Sequence, residues 1–198
     1  MDYLPTPGAA RRRTAEGLLT LTVLGSLEDV AGIVHPGAVN RESVHEPPAA
    51  RVPGPAGFAA TGSWLRAAFT DIRFAVDEAL SDGDLLVTHG TMSGRHTGPF
   101  VLYGVDGSVE RVFTPTGRTF TVTHTHWLRV VDGLIVEHWA NRDDQGQALQ
   151  LGWTPPSPLY LVRCARATRA ARLQQEDTAI GCRHVTNAAP GYREPFSR

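Results

Sequence analysis

His124, His126 and His138 sit on two stretches that read as the arms of one β-hairpin. Imidazole titrates near neutrality, so it takes or gives a proton at physiological pH without a large shift. The turn between the arms is Val131-Asp132-Gly133, and Gly133 supplies the left-handed residue that a three-residue hairpin loop requires. That loop pairs Val130 with Leu134, Leu128 with Val136 and His126 with His138. One face then carries His124, His126, Leu128, Val130, Leu134, Val136, His138 and Ala140, all apolar or imidazole. The other carries Thr123, Thr125, Trp127, Arg129, Ile135, Glu137, Trp139 and Asn141. A strict two-residue loop would slip the register by one and mix the two sets, so the pattern favours the bulged turn. A face that is apolar at depth and carries imidazoles at one level is the wall of a pocket for a hydrophobic small molecule. The imidazoles are its proton-transferring groups, and Leu128 and Val136 belong to its apolar wall.

Other residues compete for roles around that wall. His138 shares the His126 face and would orient or replace it, while His124 falls nearer the rim. Arg95 points away from the neighbouring His96 if that segment is a strand. Asp143 and Asp144 follow the second arm. Either one pairs with an imidazole, as the carboxylate does in a catalytic triad, or they cap the helix that follows. Trp64 and Phe69 suit both core packing and ligand stacking, and core packing is the commoner use of such residues.

The elements that must position these groups follow from periodicity. Apolar residues recur at helical spacing from Arg11 to Val34, with a break near Gly25-Ser26 where Ser26 caps a second helix. Residues 36–57 are rich in proline and glycine and read as a loop with one short strand near Val39-Asn40. A helix is expected over Gly57–Phe69, then strands over Ile72–Ala79 and Asp84–Ser93, and a hairpin around Val105-Asp106-Gly107. The histidine hairpin follows, then a short helix over Asp143–Leu151. Helices first and antiparallel strands after them define an α+β fold, a curved sheet folded over helices. Residues 1–10 read as a flexible N-terminus, 11–153 as the folded domain and 154–198 as a C-terminal extension. Within that extension, Leu159–Leu173 reads as an amphipathic helix with a solvated arginine row, and 174–198 as irregular.

Composition removes several classes of function. The chain has 198 residues, a formal net charge of −1 and 41% hydrophobic residues. That balance gives no electrostatic case for nucleic acid or an anionic membrane, and no apolar run approaches a membrane span. The N-terminus lacks the apolar stretch of a secretory signal, so a cytoplasmic protein is expected. All 19 basic residues are arginine, which excludes a Schiff-base lysine or a phosphate-loop lysine. Cys164 and Cys182 show no zinc spacing; they are two free thiols of a reducing compartment or one disulfide. Neither a metal nor a cofactor is expected.

Four motifs carry a resemblance to a known family. Gly94-Arg95-His96-Thr97-Gly98, Pro115-Thr116-Gly117-Arg118, Arg129-Val130-Val131-Asp132-Gly133-Leu134-Ile135-Val136-Glu137-His138-Trp139, and Asp143-Asp144-Gln145-Gly146 through Gln150-Leu151-Gly152 resemble the SnoaL-like polyketide cyclases of the NTF2-like superfamily. The match runs through roughly residues 12–153. It implies a cone-shaped α+β barrel, in which a curved antiparallel sheet wraps over N-terminal helices around an internal cavity. It also implies a homodimer through the outer sheet face, where Trp127, Trp139 and Ile135 would meet a partner. His126 aligns with a pocket histidine of the family, His96 with a pocket donor and Asn40 with a polar pocket position. The family carries its acid/base aspartate two residues after the position of His138, where this chain has Ala140. The function implied is a cofactor-free cyclase of bacterial natural-product biosynthesis. It would close a ring by general acid–base catalysis with His126 and His96, supported by Asp143 and His138. Asn40, Trp64, Phe69, Leu128, Val136 and Asp144 would bind a hydrophobic polyketide-like intermediate. Aldol-type closure and epoxide opening both remain open, as do an epoxide hydrolase or isomerase on the same fold and a non-catalytic binder.

Overall fold

The computed structural model describes the backbone of residues 7–186 and the side chains of 15–179. Two helices open the fold, α1 (Pro7–Leu24) and α2 (Leu27–Ala31). The expected break between them is a capping box. Ser26 N donates to Asp29 Oδ2 at 2.8 Å, and Asp29 N donates to Ser26 Oγ at 3.1 Å. Residues 7–10 of the expected flexible N-terminus already belong to α1, and residues 1–6 lie outside the described residues.

Strand β1 (Val34–Asn40) comes next, then two 3₁₀ turns over Ser43–His45 and Pro48–Arg51. Helix α3 (Pro55–Ala68) opens with a proline in its first turn, where a missing N–H costs nothing. The chain then runs through β2 (Phe69–Asp82), β3 (Leu85–His96), β4 (Phe100–Tyr103), β5 (Val109–Phe113), β6 (Thr119–Val131) and β7 (Leu134–Arg142). It closes with α4 (Asp144–Leu151) and α5 (Pro158–Thr186).

Five strands form one sheet in the order β1-β7-β6-β3-β2, and β4 and β5 pair separately. The sheet is curved around the helices but does not close on itself, so the cone is an open one. Most pairings are antiparallel, whereas β1 lies parallel to β7. That parallel strand matters for chemistry, because its register sets Asn40 beside His138. Two apolar clusters hold the layers together. Phe58 of α3 joins Val30, Val34, Ala38, Leu128 and Ile135 under the β6–β7 end. Phe69, Met92, Phe120, Val122, Leu151 and Trp153 form the other cluster.

The β6–β7 hairpin departs from the expected register. Its turn is the two-residue Asp132-Gly133, with φ of 50° and 79° and Val131 opposite Leu134. Positive φ at both central residues is the tight type I′ geometry. The extra residue sits one pair further along: Val130 faces Ile135, Arg129 faces Glu137, and Val136 bulges between them. His126 therefore pairs with Ala140, and Leu128 with His138. The turn and the bulge cancel in their effect on the histidines, so all three still face inward. They do not cancel at the tip. Ile135, expected outside, is fully buried, and Val136 is the bulge residue rather than cavity wall.

Helix α5 extends through Thr186, so the expected irregular tail is helical to that point. It packs along the edge of β5 with side chains that stand in for a neighbouring strand. Thr168 Oγ1 and Gln175 Oε1 accept from Val112 N at 2.9 Å and Val109 N at 3.0 Å. Arg172 donates to Val109 O and Glu110 O, both at 2.8 Å. Positions 168, 172 and 175 lie on one helix face; Arg172 thus belongs to a contact, not to a solvated row. Cys164 is a buried free thiol of this helix, and the side chain of Cys182 lies outside the described residues.

Candidate active site

Two adjoining chambers lie between the sheet and the helices. The inner one, about 80 Å³, has walls from Leu18, Phe58, Phe74, Leu128, Ile135, His126 and His138. The outer one, about 400 Å³, is walled by Phe69, Phe100, Leu102, Phe113 and Trp153. Glu42, Glu46, Trp64, Leu65, His124 and Arg142 line both.

A hydrogen-bonded chain crosses the inner chamber. His126 Nδ1 lies 3.0 Å from His138 Nε2, and His138 Nδ1 lies 3.0 Å from Asn40 Oδ1. Asn40 Nδ2 donates to Thr61 Oγ1 at 3.5 Å, and the Thr61 hydroxyl donates to Glu46 Oε2. The direction of this chain follows from one backbone group. Glu42 N–H can only donate, and it donates to Asn40 Oδ1 at 3.2 Å, which fixes the orientation of that amide. His138 Nδ1 must then be the protonated nitrogen. Burial, with the Arg142 charge adding to it, pushes His138 down to about 4, so the ring is neutral and its Nε2 accepts. His126 Nδ1 therefore donates. Burial first, and then His138, His124 and Arg142, holds His126 well below its ordinary value, so it too is neutral. Its Nε2 is left with a free lone pair, buried and without a hydrogen-bond partner in the protein. A desolvated imidazole lone pair, with its tautomer set from behind, is chemically able to accept a proton.

The structure gathers some of the expected residues and separates others. His126, His138, Asn40, Trp64 and Leu128 all line the inner chamber. Phe69 walls the outer chamber while packing in the core at 2% exposure, and Asp144 reaches its mouth beside Arg142. His96 lines neither. It is fully buried against Phe69 and Trp153, with Nδ1 3.3 Å from Thr116 Oγ1, and burial pushes it down to about 4. It is a core histidine behind the chamber wall. Asp143 caps α4 by accepting from Gly146 N at 2.8 Å, and its charge also pulls His124 upward against the larger effect of burial and that of Arg142. Val136 is absent from the lining, and Ile135 takes its place.

Ala140 faces inward across from His126. The carboxylate that reaches its backbone is that of Glu42, whose Oε1 accepts from Ala140 N at 3.0 Å and whose Oε2 lies 3.5 Å from Arg142. Glu42, Glu46, Thr61 and Arg142 are site residues that the sequence reading missed. Glu42 and Glu46 sit in a segment whose prolines mark only a loop. Thr61 did leave a signal: it is the polar member of the stripe Phe58, Thr61, Leu65 on one face of α3. Burial pushes Glu46 above its ordinary carboxyl value, against the opposing pull of Thr61 and Arg142. Among the described residues no three His, Cys, Asp or Glu side chains converge to hold a metal ion.

An open cone with a histidine-walled chamber places the protein in the NTF2-like fold class. TsrD from Streptomyces laurentii shares this fold, with a TM-score of 0.57 at 23% identity over 76% of this chain and 98% of that one. The family profile of the SnoaL-like polyketide cyclases matches residues 13–151, and the chain belongs to that family. It is 32% identical to the aklanonic acid methyl ester cyclase DnrD of Streptomyces peucetius over 68% of this chain and 85% of that protein. It is 29% identical to the nogalonic acid methyl ester cyclase of Streptomyces nogalater over 65% and 87% respectively. Wild-type IdmH from Streptomyces antibioticus aligns at 31% identity with a TM-score of 0.53, covering 72% of this chain and 98% of IdmH. No helix among the described residues is long and apolar enough to cross a membrane.

Proposed function

We propose that this protein is a polyketide cyclase of antibiotic biosynthesis that closes a ring by proton transfer, with His126 Nε2 as the base. The observation that carries this is the polarised chain from Glu42 N through Asn40 and His138, which leaves the Nε2 lone pair of His126, a residue of the inner chamber wall, buried and without a partner. The substrate is a hydrophobic polyketide-type intermediate whose reacting carbon enters the inner chamber while its bulk occupies the outer one. His126 removes a carbon-bound proton made acidic by neighbouring carbonyls, and the new carbanion attacks a second carbonyl of the same molecule. His138 and Asn40 position that base and steady the imidazolium it becomes. The chemistry needs proton donors and acceptors, which the chain's own side chains supply. Self-association through the outer sheet face, where Trp127 and Trp139 stack at 6.0 Å, completes this reading.

Incubation with the two methyl esters named in the relatives tests it. Ring closure yields a product of unchanged mass, and His126→Gln lowers its formation ~100-fold or more, the usual worth of a positioned base. Oxygen incorporated from labelled water would instead mark a hydrolase. Binding without turnover would mark a carrier.

A further inference from the structure

The base has a counterpart at the far end of the same hydrogen-bonded chain. Glu46 is 3% exposed and lines both chambers. One of its oxygens is engaged by Thr61, the link that leads back through Asn40 and His138 to His126. We propose that Glu46 is the catalytic acid of the ring closure, delivering its proton to the carbonyl oxygen that becomes a hydroxyl as His126 removes the carbon-bound proton. This rests on His126 being the base.

The groups facing Glu46 fit that role. Thr61 comes from α3, Glu42 from the loop after β1, Arg51 from the second 3₁₀ turn and Arg142 from β7, with His124 of β6 on the same walls. Thr61 engages Oε2, which leaves Oε1 as the oxygen of the pair not held by Thr61. Arg51 spends its guanidinium on the backbone carbonyls of Glu46, Gly104 and Val105 rather than on the carboxyl group. Arg142 is shared between Glu42 and Asp144. Burial therefore outweighs the nearby cations, and the carboxyl is held neutral for longer on raising the pH. The same burial keeps the imidazoles neutral at lower pH. Burial thus shifts both groups toward their neutral forms, the pairing that acid–base catalysis requires.

The step balances. The C–H electron pair becomes the new C–C bond, the carbonyl π pair moves to oxygen, and that oxygen takes the Glu46 proton. His126 then holds one proton in excess and Glu46 lacks one, so a single proton returned from His126 to Glu46 restores the resting site.

Glu46→Gln keeps the shape and a partner for Thr61 but has no proton to give. Its ring closure should fall ~100-fold or more, and the alkaline limb of its pH–rate profile should disappear. Exchange of the substrate's acidic carbon-bound hydrogen into deuterated water should persist, because that step needs only His126. His126→Gln should abolish both, so failure of the base and failure of the acid give different results. In the unmodified protein, infrared spectroscopy at neutral pH should show the carbonyl band of a protonated carboxylic acid. Wild-type turnover in Glu46→Gln would overturn the proposal. So would parallel loss of exchange and closure, which would make Glu46 structural, or absence of the infrared band.

Discussion

Asn40 is the residue whose removal most directly probes the direction of the hydrogen-bonded chain. Its Oδ1 accepts from His138 Nδ1 at 3.0 Å and from Glu42 N at 3.2 Å. Asn40→Leu leaves both donors unmatched. A buried unsatisfied donor costs ~1–3 kcal/mol, and the partly buried Glu42 amide falls at the low end, so a stability loss of ~2–4 kcal/mol is expected. The catalytic effect has a different origin. With a methyl group in place of Oδ1, His138 is better off placing its proton on Nε2 and donating it to His126 Nδ1. His126 then carries its own proton on Nε2, and the free lone pair is gone. A bias of ~1.4–2.7 kcal/mol toward that inverted arrangement removes ~90–99% of the competent base, so exchange and ring closure should both slow by ~10–100-fold. Asn40→Asp should behave in the opposite sense. Its carboxylate still accepts from His138, keeps the tautomer, and moves the acidic limb of the pH–rate profile to higher pH. Deuterium exchange at the acidic carbon, followed by NMR on folded variants, reads the base alone. An Asn40→Leu protein that remains folded and exchanges within about twofold of wild type would refute the tautomer argument.

Acid should unfold this protein early. His96 and His124 are each pushed by burial from an ordinary value of 6.5 to about 4. Their stabilisation is complete above pH 6.5 and is lost as pH falls toward 4, at ~1.4 kcal/mol per unit for each histidine. Circular dichroism at about pH 5.5 should register ~3 kcal/mol less stability from the pair; a flat profile down to pH 4 would contradict it. His96→Leu should shift acid unfolding to lower pH while leaving turnover intact, and loss of turnover in a folded variant would restore His96 to the site. Sedimentation velocity should show a dimer that Trp139→Glu dissociates, and a monomeric wild-type protein would remove the outer sheet face from consideration.

Much of the fold is legible because local signals and tertiary packing agree. The Ser26 cap, the apolar stripe of α3 and the alternation along β6 each report a burial that the structure repeats. The hairpin shows where this stops. Alternation says that His126 and His138 share a face, but a bulge near the turn and a bulged turn produce the same alternation in the histidine half. The two differ only at Leu134, Ile135 and Val136, where all three residues are apolar and no identity breaks the tie. Asp143 was ambiguous for a chemical reason, since the same carboxylate serves a helix cap or an imidazole, and the cap lies only three residues away. Glu42 and Glu46 were invisible because their roles come from β1 running parallel to β7. No residue within the 36–57 loop encodes that neighbour.

Helix α5 lies outside the span matched by the family, residues 13–151, yet it grips the backbone of β5 at Val109, Glu110 and Val112. Phe113, the last residue of that strand, stacks on Trp153 and walls the outer chamber. The tail thus braces the strand that carries one wall of that chamber. Sequence drift at Thr168, Arg172 or Gln175 would therefore reach the outer chamber from outside, without touching any residue of the hydrogen-bonded histidine chain.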